Sequence, residues 1–574
     1  MHTMRRRSVL AGGVGLTAAA TLGRYGGALA GMGSMGIRQP GSLPDPSRKE
    51  GTVDPKMPFD HIVVVMQENH SFDAYLGMLA KRGQPKADGF AFGADGKPLD
   101  ANPYKDGHLV AQRSQTMCQL SQSQSWKSTH LQIDGGKMDG FAGVTPASML
   151  YWDQPDLPFY YSLASTFCLA NRWFCSAPCQ TYPNRRFLLA ATAFGLISTD
   201  TNSITEDPPN GTIFDRLDKH GISWKDYFTD VPATGVIASV PASHPQNLAP
   251  YSQFAVDCAA GTLPSVSFVD SDIGVAGVVS DETLGQVKAP FSKTVSAQNQ
   301  DEEDPADIAL GENFVSDVVS AVLSSPLWPR ILLVWTYDEH GGYYDHVPPP
   351  AAIPPDDIKP KLGKDDPPGG YDIYGPRVPA VVVSGYARKN AVTNVIHDHT
   401  SILATIQAKW NLPAMTRRDA NATTLMDFLD TKVTFPDPPT LAAPHDLGDS
   451  EAQCSTVPPA FAVTPGPAPD VHGSGGGAKP AAGDQLVVRF YGRRHLVHGV
   501  LVTLAMRSGS LRGLTVELER GGSVVAEVHV AHVSTARHRV ALRRRGGEKF
   551  SSGRYVLVVR RGKHVLVRRR VRLG

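Results

Sequence analysis

Two short apolar runs that end abruptly in acids, amides and imidazoles constrain this chain most. Phe59–Met66 reads FDHIVVVM and continues into Gln67-Glu68-Asn69-His70-Ser71-Phe72-Asp73. Ile331–Tyr337 reads ILLVWTY and continues into Asp338-Glu339-His340-Gly341-Gly342, with Asp345-His346 close behind. Runs this apolar leave no solvated face, so they predict strands buried on both sides, as in a parallel sheet. A third run, Val378–Ser384, leads through a loop to His397-Asp398-His399-Thr400-Ser401. Helical patterns lie between the runs, over Asn313–Ser324 and His399–Trp410, and Val347–Gly370 reads as a Pro-rich, charged surface loop. The expected fold class is α/β: a mostly parallel sheet flanked by helices.

In open α/β sheets, ligands bind beyond the carboxyl ends of the strands. The three polar clusters are therefore expected to meet on one rim. Glu68, Asn69, Asp338 and Glu339 supply hard oxygens suited to a divalent cation, and the imidazoles suit an oxyanion. His70 alone reads as a packed histidine. A further segment, Gln180-Thr181-Tyr182-Pro183-Asn184-Arg185-Arg186, offers Thr181 as a nucleophile beside a cation and Arg185 as a partner for phosphoryl oxygens. Taken alone, it also reads as a proline turn capped by threonine. His130 precedes a Gly-rich loop, Gly135–Phe141, that lacks P-loop spacing. No Gly-x-Ser-x-Gly elbow occurs, which argues against an α/β-hydrolase lipase.

Arg5-Arg6-Arg7 precedes an apolar, Gly/Ala-rich stretch that runs to Leu22, and Ala28-Leu29-Ala30 offers a small-residue cleavage site, so residues 1–30 read as a twin-arginine signal peptide. The protein is expected outside the cytoplasm: periplasmic, on the cell surface or secreted. Residues 31–56 read as a loose leader and 57–456 as the main domain. Residues 457–485 form a Pro/Gly/Ala-rich linker. Short alternating strands over 486–574 predict a small all-β sandwich. The charge is uneven. Residues 485–574 hold 20 Lys and Arg against 4 Asp and Glu, which leaves 36 against 51 in the rest of the chain. A basic tail on an acidic body points to an anionic surface, such as membrane headgroups or cell wall. Aromatics that would stack on nucleic acid are few there. Six cysteines allow up to three disulfides. Cys175 and Cys179 lack a second pair at zinc spacing.

Together these blocks make the chain resemble a known family. ENHSFDAYLG (Glu68–Gly77), GKMDGF (Gly136–Phe141), TYPNR (Thr181–Arg185), YDEHGGYYDHVPPP (Tyr337–Pro350), YGPRVPAVVVS (Tyr374–Ser384) and DHTSI (Asp398–Ile402) occur in that order. They are similar to the signatures of the bacterial phosphoesterases, the phospholipase C and acid phosphatase group of the alkaline phosphatase superfamily. The resemblance spans roughly residues 57 to 431. It implies an alkaline-phosphatase-like fold and a metal-dependent hydrolase of phosphoric esters. By this resemblance Glu68, Asn69, Asp338, Glu339 and Thr181 hold a Ca²⁺, Mg²⁺ or Mn²⁺ ion. Thr181 is the nucleophile, as in the phospholipase C branch, and His130 and His399 contact phosphate oxygens. Arg185, Asn184 and His346 complete the set.

The implied substrate is a phospholipid or a small phosphate ester. The leading reading is a secreted phospholipase C. The alternatives are an acid phosphatase-like phosphomonoesterase and an inactive scaffold with a surface-binding basic domain. One block departs from the family. In Asp301-Glu302-Glu303-Asp304-Pro305-Ala306-Asp307-Ile308, Glu303 stands where a histidine is usual. A carboxylate there repels phosphate unless it is protonated, holds a second cation or marks a changed substrate.

Overall fold

The computed structural model describes residues 36–272, 300–448, 454, 465–466, 486–491, 500–506, 511–521, 523–533, 538–544, 550–551, 553–562 and 564–573. The expected signal peptide and most of the expected linker lie outside these residues. The chain divides into two compact units, Met1–Pro469 and Asp470–Gly574.

The first unit is built on an eight-stranded sheet. Its strands are β1 (His61–Gln67), β2 (Cys168–Ala170), β3 (Trp224–Phe228), β4 (Leu248–Pro250), β5 (Val266–Asp270), β6 (Ile331–Tyr337), β7 (Ala380–Ser384) and β8 (Ala391–Thr393). The spatial order is β8-β2-β7-β6-β1-β5-β3-β4. The apolar runs of β1 and β6 lie side by side at its centre, with every residue of β6 buried. They pair in parallel, with Gln67 beside Tyr337, so the two chains leave the sheet together. The Asp338 N–H still bonds the Gln67 carbonyl at 3.0 Å, which sets Glu68 next to Asp338.

β7 departs from expectation. It pairs antiparallel with both β6 and β2, so its carboxyl end points away from the rim. The third run therefore contributes its beginning, just after Arg377. The chain then returns through β8, which pairs in parallel with β2, to deliver His397–His399. An isolated bridge between Trp173 and His397 holds that return in place.

Helices flank the sheet, among them α1 (Phe72–Leu76), α2 (Trp126–Ile133), α3 (Thr181–Ala190), α4 (Ile308–Leu323) and α5 (Thr400–Trp410). α4 begins five residues earlier than its apolar periodicity suggested, because Asp307 caps it by accepting from the Ala309 N–H. Residues 36–56, expected to be loose, are docked. Asp54 N–H bonds the Lys409 carbonyl at 2.7 Å and Gly41 N–H bonds the Ala414 carbonyl at 2.8 Å. One disulfide, Cys118–Cys454, closes a loop of 336 residues. Cys168, Cys175, Cys179 and Cys258 are buried free thiols. Among the described residues, no helix is long and apolar enough to cross a membrane.

The second unit holds two antiparallel sheets. One has three strands, β9 (Leu486–Tyr491), β10 (Val500–Met506) and β13 (His538–Leu542). The other is ordered β12-β11-β14-β15, from β11 (Leu511–Arg520), β12 (Ser523–Val533), β14 (Gly553–Arg561) and β15 (His564–Leu573). Alternation is clean: Leu514, Val516 and Leu518 enter a core with Val502, Leu504, Leu557 and Val559, while Thr515 and Glu517 face outward. Arg543, Arg561 and Arg568–Arg570 are exposed. Arg560 and Arg568 both bond Glu519.

Candidate active site

The centre of the rim is Asp338. Its Oδ1 accepts the backbone N–H groups of Asn69 at 3.1 Å and Glu339 at 2.6 Å, so one carboxylate oxygen ties the ends of β1 and β6 together. Asn69 takes a left-handed backbone, φ 67°, which asparagine tolerates better than most residues. Gly341 passes so close that a Cβ there would lie 1.6 Å from the Asn69 carbonyl oxygen, and its own φ is 63°. The glycine after Asp338-Glu339-His340 is thus a steric requirement of the crossing.

α3 brings the next groups. Thr181 is its first residue, buried, with its side chain beside the Asp338 carboxylate. Arg185, one turn on, bonds Glu68 Oε1 at 3.0 Å through Nη2 and lies 3.6 Å from Asp338 Oδ2 through Nε. Asn184 faces the opposite way. Its Oδ1 accepts the Ala177 N–H and its Nδ2 donates to the carbonyls of Cys179, Gln180 and Ala177. It pins the loop that presents Thr181.

The histidines are less uniform. The His399 ring receives the Trp173 indole N–H at Nδ1, 3.4 Å, so its Nε2 donates to the Asp338 carbonyl at 2.7 Å. Burial pushes this imidazole down to about 4, which keeps it neutral. In this arrangement His399 positions Asp338. His130 sits on α2 with Nδ1 2.7 Å from the Trp126 carbonyl, and its Nε2 lies beside Gly369 of the Pro-rich loop. Burial lowers its affinity for a proton. His70 is stacked between Tyr75 and Tyr343, and burial pushes it down to about 3. His346 belongs to a separate network, with Nδ1 2.6 Å from Asp73.

Two sets of site residues were read in part or not at all from the sequence. Asp301 and Glu303 join the rim, where one carboxylate oxygen each from Glu68, Asp301 and Glu303 lies within 4.8 Å of the others. The signal was four consecutive acids, of which only Glu303 drew notice. Asp270, at the end of β5, faces Asp226 as a buried carboxyl pair and adds to the field on Arg185. Its signal was a short apolar run, VSFVD, ending in an acid as the two central strands do.

The rim is starved of positive charge. Burial raises the carboxyls of Glu68, Asp301 and Glu339 well above the ordinary range, and mutual repulsion adds to it. Burial also raises Asp338 and Glu303, with Arg185 opposing. Arg185 is itself pulled down by burial, but Glu68 and Asp338 more than reverse that. Asn69 Oδ1, Asp338 Oδ2, Glu339 Oε1 and Asp301 Oδ2 are buried with no hydrogen-bond partner. Buried acceptors without donors are costly unless something else meets them. Unpartnered, all-oxygen and mostly anionic, this donor set fits a hard divalent cation such as Ca²⁺, Mg²⁺ or Mn²⁺.

Comparison with known proteins gives the family. Residues 59–413 match the model of the Phosphoesterase family. The chain is 33% identical to the non-specific phospholipase C1 of Arabidopsis thaliana over 399 residues, covering 64% of this chain and 70% of that one. It is 30% identical over 406 residues to phospholipase C A of Mycobacterium tuberculosis (strain ATCC 25618 / H37Rv), covering 62% and 73%. A crystal structure titled as a protein in the alkaline phosphatase superfamily, from Vibrio parahaemolyticus, aligns over 62% of this chain and 80% of its own. The identity is 10% and the TM-score 0.29, too loose a likeness to argue from.

Proposed function

The chain belongs to the Phosphoesterase family and is a hydrolase acting on phosphoric ester bonds, and from that premise we propose that it is a metal-dependent phospholipase C with Thr181 as nucleophile. One observation carries the reading: the Thr181 hydroxyl lies against a buried carboxylate cluster whose outward oxygens have no donor. Asn69 Oδ1, Asp338 Oδ2, Glu339 Oε1 and the Thr181 hydroxyl would hold the cation. When bound, a divalent cation offsets charge on a phosphoryl oxygen and acidifies a neighbouring hydroxyl.

Thr181 Oγ gives up its proton and forms a bond to phosphorus while the bond to the diacylglycerol oxygen breaks; that oxygen takes up a proton and leaves as the alcohol, and the headgroup phosphate stays on threonine. Water then cleaves that phosphothreonine and releases the phosphorylated headgroup. Arg185 orients Glu68, and His399 orients Asp338 from behind. We assign His130 to the phosphoryl oxygens as an imidazolium: its Nδ1–H is held by the Trp126 carbonyl, so Nε2 at the loop donates only once a bound phosphate anion has raised the ring's affinity for a second proton. Asn184 acts by holding the nucleophile loop.

We further propose export by the twin-arginine route, and the Cys118–Cys454 disulfide supports an oxidising destination. The exposed arginines of β14 and β15 suit docking on anionic headgroups, which are worth about 1 kcal/mol per basic residue near such a surface.

The test pairs p-nitrophenylphosphorylcholine with p-nitrophenyl phosphate, each with and without chelator. Chelator-sensitive cleavage of the diester is expected, followed by diacylglycerol release from vesicles. Preference for the monoester would move the protein to the phosphatase branch. Cleavage that survives exhaustive chelation would sink the metal-dependent reading.

A further inference from the structure

We propose that Glu68, Asp301 and Glu303 form a second divalent-cation site beside the first; this rests on the reading of the rim as a cation site. Three carboxylate oxygens, one from each residue, approach within 4.8 Å of one another. Asp301 is fully buried. Its Oδ1 accepts the Glu303 N–H at 3.0 Å, and its Oδ2 has no partner at all. A buried carboxylate oxygen beside two further carboxylates and without a donor is a ligand position in search of an ion.

The fold holds this loop rigidly enough to build a site. The Asp301 carbonyl accepts the Glu68 N–H at 2.9 Å, which fixes the loop to the end of β1. The intervening acids turn elsewhere. Glu302 receives the hydroxyls of Tyr75, Tyr160 and Tyr337 at 2.6, 2.5 and 2.7 Å, and Asp304 receives that of Tyr343 at 2.5 Å. Three tyrosines therefore engage Glu302 and a fourth engages Asp304 Oδ2, which turns both side chains away and leaves Asp301 and Glu303 to the rim. The Glu303 side chain also reaches the Asn69 amide, so the two cation sites are neighbours. Glu303 is only partly buried, which gives an ion a way in.

Charge counting points the same way. Glu68, Asp301, Glu303, Asp338 and Glu339 carry five formal negative charges, and Arg185 returns one. One divalent ion halves the remaining four, and two cancel them. A phosphoric ester is an anion, so a site at neutrality receives it far better than one left negative.

The experiment strips the full chain with chelator and titrates Mn²⁺, reading stoichiometry by calorimetry and coupling by electron paramagnetic resonance. The same is done for Glu303→Gln and Asp301→Asn, with near-UV circular dichroism to check folding. The wild type should bind two ions with a spin-coupled signal. Each variant should lose half of them and show isolated Mn²⁺. One ion in the wild type would overturn this inference and leave the first site standing. No ion would overturn both readings. Two coupled ions in both variants would mean these residues are not the ligands. If a variant misfolds, the wild-type count and coupling still decide.

Discussion

Two buried charge clusters of the first unit stand side by side in sequence and differ in balance. At the rim, five carboxylates share one guanidinium, Arg185. A few residues on, Asp73, Asp88 and Asp345 meet Arg377, His346 and Arg172. Arg377 bonds Asp345 at 2.9 Å and Asp73 at 3.1 Å, His346 bonds Asp73, and Arg172 bonds Asp88. The Arg377 guanidinium also lies over the Phe72 ring, 4.2 Å from its centre. Both clusters are carboxylates around a buried guanidinium, and Asp73, Asp345 and Arg377 are as buried as the rim, while Asp88, Arg172 and His346 are partly exposed. The balanced one is a clasp that ties the start of β7 to the end of β6. The unbalanced one is a place prepared for something the chain does not supply. Charge balance, more than burial or strand-end position, separates the structural acids from the chemical ones.

Substitutions on the two sides should therefore fail in different ways. Thr181→Ala should cost turnover about 10⁴-fold while leaving the melting temperature within error, because a nucleophile is lost and little packing goes with it. Residual turnover within tenfold of wild type would refute the role. In the clasp the reverse is expected. Arg377→Met strands Asp73 and Asp345 without their cation and should destabilise the chain by about 3–5 kcal/mol in urea unfolding.

The clasp should also show in pH. His346 is held near 10, because Asp73 and then Asp88 outweigh the burial that would lower it. Its folded value exceeds its ordinary 6.5, so its contribution is complete below that pH and is lost as pH climbs through 10. Over that window the wild type should lose about 2 kcal/mol that His346→Gln never had, allowing for partial exposure. Parallel stability curves for the two proteins would remove His346 from the clasp.

The smallest effect should be the most telling. In chelator, Glu339→Gln should raise stability by about 1 kcal/mol, since it relieves repulsion at the starved rim and keeps an acceptor for the Gly341 N–H. With excess Mn²⁺ the order should reverse, because the ion stabilises only the chain that binds it. A rim that is destabilised by this change without metal would be a second clasp.

Much of this was legible in the chain. The two central strands were readable because an apolar run of seven residues has few other places to go. Glu68, Asn69, Asp338 and Glu339 were readable because such strands end in one place. Thr181 and Arg185 could be weighed as nucleophile and phosphoryl partner, but only their likeness to a family lifted them above an ordinary proline turn capped by threonine. The direction of β7 was not readable, because a buried run carries no arrow. The docking of residues 36–56 was also missed, because their bonds run through backbone groups that every sequence has.

The pattern of apolar runs, turn residues and acids determined by itself which elements form, that they make an α/β unit and a β sandwich, and that oxygen-rich chemistry lies at strand ends. Tertiary structure alone decided which acids stay unpaired. Asp301 and Glu302 are neighbours of like chemistry, yet one faces the carboxylates of Glu68 and Glu303 and the other faces three tyrosine hydroxyls from distant parts of the chain. Local sequence sets the propensity of a backbone. The partner of a buried charge is set by residues tens to hundreds of positions away, and only the folded chain brings them together.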